Sequence, residues 1–85
     1  MNENEISSII IECAIKVHTL LGPGLLESVY ERTLSYELVN KGLFVECQKP
    51  IPLIYDNIEI GEAFRADIIV NDKVIIEIKS VDELN

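Results

Sequence analysis

The sequence predicts an α+β domain, an α/β-type sandwich with two N-terminal helices packed on a mainly antiparallel sheet. Three observations predict it. Apolar residues recur at helical three-and-four spacing through the first half of the chain. After Gly42 the period changes to two. Asp56-Asn57 and Asn71-Asp72-Lys73 then supply turn chemistry between strand-like runs. At 85 residues, 48% of them hydrophobic, positions 1–85 form one small domain with a single modest core.

The first helix is read from Ile6, Ile9, Ile10, Cys13, Ala14, Val17, Leu20 and Leu21, which share one face, with Asn4 available as a cap. Gly22-Pro23-Gly24 stops it. A second periodic segment, Leu26, Val29, Tyr30, Thr33, Leu34 and Leu38, runs to Lys41-Gly42, a basic last turn followed by the usual terminating glycine. Glu27 falls on its first turn, where the helix dipole favours a carboxylate. Leu43 to Lys49 reads as a strand that Pro50-Ile51-Pro52 interrupts. Leu53-Ile54-Tyr55 then meets Ile58-Glu59-Ile60 across Asp56-Asn57, pairing Tyr55 with Ile58 and Leu53 with Ile60 on one face. Gly61 marks a bulge or bend, and strands follow over Phe64 to Val70 and Val74 to Val81.

The last turn sets which residues meet. A two-residue loop would put Asp67 opposite Ile76 and turn Glu77 to the other side of the sheet. A three-residue loop, Asn71-Asp72-Lys73, pairs Val70 with Val74, Asp67 with Glu77 and Arg65 with Lys79. It also gathers Phe64, Ala66, Ile68, Val70, Val74, Ile76 and Ile78 on one face, so burial selects it.

Charges in strands that are otherwise apolar need a partner, because an unpaired ion held away from water costs several kcal/mol, about the scale of a whole buried ion pair. Asp67, Glu77 and Lys79 therefore suggest a divalent-metal site with a lysine beside it. The alternative reading joins them with Arg65 in a structural cross-strand cluster in which acids and bases neutralise each other. Glu27 has a corresponding plain reading as a dipole-satisfying residue, Tyr30 as a core aromatic, and His18 as a compensating residue near the first helix's C-terminus.

A formal net charge of −8 excludes binding nucleic acid through the overall field, so any such contact is local. Cys13 and Cys47 lack zinc or redox spacing and are read as reduced, buried hydrophobes. The acidic start Met1 to Glu5 is unlike a signal peptide's basic leader, and no apolar run approaches the ~20 residues that span a bilayer. The expected location is the cytoplasm.

Gly24-Leu25-Leu26-Glu27-Ser28-Val29-Tyr30 matches GxxExxY, and with Ala14 to His18, Leu21 to Gly24, Phe64-Arg65-Ala66-Asp67 and Ile76-Glu77-Ile78-Lys79 the chain resembles the GxxExxY family of the PD-(D/E)XK nuclease superfamily. The resemblance implies metal-dependent hydrolysis of a phosphodiester in nucleic acid. Asp67 and Glu77 would be ligands of Mg²⁺ or Mn²⁺, joined by the Ile78 carbonyl and by Glu27, directly or through water. Lys79 would act on the attacking water and on transition-state charge. Arg65, Tyr30 and His18 are the candidate substrate contacts.

The superfamily core resembles αβββαβ, and this chain stops at Asn85, so the expectation is a truncated core lacking the C-terminal helix and strand. That would bare an apolar sheet face and the Val74 to Lys79 edge, which implies a homo-oligomer. The alternative function is a catalytically inactive interaction or dimerisation module that retains the fold.

Overall fold

The computed structural model describes residues 1–79, and the expected strand positions beyond Lys79 lie outside the described residues. In chain order the elements are α1 (Glu3–Leu21), α2 (Glu27–Asn40), β1 (Val45–Tyr55), β2 (Ile58–Val70) and β3 (Val74–Ile76). Two helices pack on a three-stranded antiparallel sheet of order β1-β2-β3. The predicted fold class stands.

The N-cap of α1 lies two residues before the expected one. Asn2, not Asn4, is the N-cap: its Oδ1 accepts the Glu5 N–H at 2.8 Å while Glu5 Oε1 accepts the Asn2 N–H at 2.9 Å. This capping box satisfies two of the helix's orphan donors at once, which a cap at Asn4 could not do without a Glu or Gln three residues on. Ile6, Ile10, Cys13 and Val17 are buried. Leu20, counted on the apolar stripe, is exposed at the helix end. Leu34 and Leu38 of α2 meet that face, and Ile68 and Val70 of β2 complete the core.

Pro50 and Pro52 do not break β1. A proline removes one ladder donor, and an edge strand tolerates this on its unpaired side. The strand runs through them with register shifts between Ile51 and Ile54, opposite the segment around Gly61 (φ 98°) where a bulge was expected. Tyr55 pairs with Ile58 across Asp56 and Asn57, both at positive φ, the backbone of a tight two-residue hairpin turn. Beyond Ala66 this hairpin carries its apolar side chains outside the core: Leu53, Ile54, Tyr55, Ile58, Ile60 and Phe64 are all exposed.

The three-residue loop at Asn71 to Lys73 forms as burial requires, with Val70 opposite Val74 and Ile68 opposite Ile76. Asn71 and Asp72 take left-handed backbone there. Asn71 also clamps the entry to β1, since its Oδ1 accepts the Phe44 N–H at 2.7 Å and its own N–H donates to the Phe44 carbonyl at 2.8 Å. β3 ends at Ile76, so the ladder stops one pair short of Asp67 and Glu77.

Candidate active site

The GxxExxY segment has a direct physical explanation. Gly24 sits at φ +91°, a conformation that side chains disfavour, and lets the chain turn from α1 into α2. Two turns of sequence later, the Tyr30 hydroxyl donates to the Gly22 carbonyl at 2.6 Å and accepts the Leu25 N–H at 3.1 Å. Tyr30 thereby latches the loop whose last residues precede Glu27. Its hydroxyl serves this loop, and the ring packs against the core.

Glu27 and Glu31 are four residues apart on α2 and thus share one helix face. Both line a cleft of about 400 Å³ with Ser28, Gln48, Asp67 and Ile78. Asp67 is half-buried and held at both oxygens: Oδ2 accepts the Ile78 N–H at 2.8 Å, and Oδ1 accepts the Gln48 side-chain amide at 3.3 Å. The same Gln48 amide donates to Glu31 Oε1 at 2.5 Å.

Glu77 and Lys79 line a second, mostly apolar cleft of about 350 Å³ with His18, Tyr30, Ile76 and Ile78. Ile78 borders both clefts, so the two are adjacent across one residue. Because the ladder ends at Ile76, the expected Asp67–Glu77 pair is replaced by a bond from the next residue's backbone, and the Arg65–Lys79 pair is absent. Arg65 lies opposite Pro50 on the hairpin and ion-pairs with Glu62 at 3.0 Å, outside both clefts. Among the described residues, no group of three His, Cys, Asp or Glu is placed to hold a metal ion.

A family model for the PD-(D/E)XK nuclease superfamily matches residues 4–85. The chain belongs to that superfamily. No curated protein and no solved structure matches the chain. Membership in the PD-(D/E)XK superfamily accords with the two-helix, three-strand architecture.

Glu31 and Gln48 were not among the residues singled out from sequence. The signal for Glu31 was its i, i+4 spacing from Glu27. The signal for Gln48 was the β1–β2 register, which puts it between the Cys47–Ile68 and Lys49–Ala66 pairs, opposite Asp67. Cys47, read as buried, is exposed and lies 3.1 Å from Ser35 Oγ, whereas Cys13 is buried as expected. No helix is long and apolar enough to cross a membrane among the described residues.

Proposed function

We propose that this PD-(D/E)XK domain is a metal-dependent nuclease of the GxxExxY kind, hydrolysing a phosphodiester of nucleic acid. The observation that carries the reading is the meeting of Glu27 and Asp67 in one cleft walled by Ile78, with Glu77 and Lys79 immediately across that residue. The donor set is entirely oxygen, which suits a hard divalent cation and excludes a zinc-type thiolate or imidazole cage. Asp67, Glu77, Glu27 and the Ile78 carbonyl are the groups that would hold Mg²⁺ or Mn²⁺, Glu77 having to join Asp67 across Ile78. When bound, such a cation acidifies a coordinated water and polarises the phosphoryl group.

The chain's own residues supply the rest. Lys79 orients the attacking water, assists removal of its proton and offsets charge on the phosphorane-like transition state. The water oxygen forms the new bond to phosphorus as the bond to the leaving sugar oxygen breaks; the proton lost by the water passes to solvent and the leaving oxygen takes one from solvent. His18, which lines the cleft with Glu77, is the candidate substrate contact in this reading; the Tyr30 hydroxyl is engaged by the α1–α2 loop and Arg65 is turned to Glu62. With a net charge of −8, the nucleic acid is gripped locally and not by the overall field. The working form in this reading is a self-associated, cytoplasmic protein.

The second reading is an inactive interaction module. Its supporting observation is that Asp67 and Glu77 line different clefts. Titration calorimetry with Mg²⁺ and Mn²⁺ on the chain and on Asp67→Ala separates the two. Uptake that disappears in the variant supports the nuclease, and its absence from both supports the module. Cleavage of single-stranded, duplex and branched DNA and of RNA follows.

A further inference from the structure

We propose that Gln48 is a positioning residue that fixes Asp67 against α2 by bridging it to Glu31, an inference that rests on the reading of Asp67 as a metal ligand. Gln48 adopts φ 52° within β1, a left-handed conformation that glycine takes without penalty and that a glutamine does not. What the glutamine adds at this position is its side chain. The primary amide has two N–H donors, and here one nitrogen reaches both Glu31 Oε1 and Asp67 Oδ1.

The chemistry of that amide matters. Two carboxylates facing one cleft repel each other, and a lysine or arginine between them would draw them together but compete with a metal for their charge. A neutral donor with two hydrogens holds both anions and leaves their charge intact. With Ile78 N–H on Oδ2, Asp67 is fixed at both oxygens, and each oxygen keeps a further lone pair for a cation. Groups that orient a ligand in this way typically change metal affinity by about 10–100-fold when removed.

The test uses Gln48→Gly and Gln48→Leu in the whole chain, read by Mn²⁺ calorimetry, amide hydrogen exchange and thermal melting. Glycine removes the bridge together with the backbone strain and leucine removes the bridge alone, so the two melting temperatures separate the strain from the lost hydrogen bonds. The Ile78 amide reports on Asp67 directly, since it is bonded to Oδ2. The expected result is Ile78 exchange about tenfold faster with strand-core amides unchanged, and Mn²⁺ affinity weaker by about tenfold or more. Unchanged Ile78 exchange and unchanged affinity in both variants overturn the proposal. So does a uniform rise in exchange with a lowered melting temperature, which is the mark of a merely structural residue. If the unsubstituted chain takes up no Mn²⁺ while Ile78 exchange still depends on Gln48, the bridge stands and the nuclease reading falls instead.

Discussion

Asp67 Oδ2 accepts the backbone N–H of Ile78 at 2.8 Å, where one further ladder pair would have placed Glu77 opposite Asp67. The carboxylate has taken over the work of a strand bond. It keeps the Glu77-Ile78-Lys79 segment beside β2 after β3 ends, and so couples the position of Asp67 to that of Glu77.

Removing that acceptor has a stability consequence separable from chemistry. Asp67→Ala leaves the half-buried Ile78 amide and the Gln48 amide without this partner, and a hydrogen bond to a charged group contributes about 1.5–3 kcal/mol. Urea denaturation is expected to show a loss in this range for Asp67→Ala. Asp67→Asn, which retains one carbonyl acceptor, is expected to lose less, and under the nuclease reading to lose metal uptake as fully. Equal stability losses in the two variants would show that the Ile78 bond contributes nothing.

The helical halves and the last register were legible in the sequence because burial specifies them. Ile6, Ile10, Cys13 and Val17 fall on one face by spacing alone, and shifting Val70 off Val74 would have exposed half of an apolar strip. The site was legible only in part. Asp67 and Glu27 converge as a helix start and a strand interior suggest, but strand length is set by where pairing stops, and no residue pattern announces that β3 ends at Ile76. Gln48 was missed because a positive φ in a strand without glycine leaves no mark on composition. Asn4 was mistaken for the cap since both Asn2 and Asn4 precede the apolar stripe, and only the Glu5 partner distinguishes them.

Tyr30 joins two backbone groups of the α1–α2 loop through one hydroxyl. Tyr30→Phe keeps the ring in the core and removes only that latch. The expected loss is about 1 kcal/mol by denaturation, with faster hydrogen exchange at Leu25 and in the first turn of α2. If the nuclease reading holds, cleavage falls as well, because Glu27 sits at the end of the loosened loop. Unchanged exchange at Leu25 would show the latch to be inconsequential.

The two cysteines should separate by reactivity. Burial pushes the Cys13 thiol above its ordinary range, with nearby Lys41 opposing the shift and Glu37 adding to it. Cys47 is exposed beside Ser35. Iodoacetamide at about pH 8 is therefore expected to label Cys47 in the native chain and to reach Cys13 only on unfolding, as read by peptide mass mapping. The linkage sign follows from a folded-state value above the unfolded one. The contribution from Cys13 is fully present below the unfolded thiol's pKa and is lost as pH rises through the folded value, so denaturation midpoints should fall on that alkaline side. Substituting Cys13 with alanine abolishes this dependence if the thiol is its source.

The hairpin arm is the surface on which self-association should be tested. Tyr55 is 69% exposed and its partner Ile58 59%, and nearby Leu53 and Ile60 are each about half exposed, where β1 is an edge strand whose outer side carries no neighbour among the described residues. Apolar side chains contiguous on a two-stranded ribbon are unfavourable in water, and a second ribbon laid against them removes that surface from solvent. Sedimentation velocity is expected to show concentration-dependent association of the unsubstituted chain at micromolar levels. The pair Tyr55→Lys with Ile58→Glu is expected to shift it to monomer. Because neither residue reaches the core, the melting temperature of the substituted monomer should hold, and a fall in melting without a change in sedimentation would assign these side chains to intramolecular packing instead.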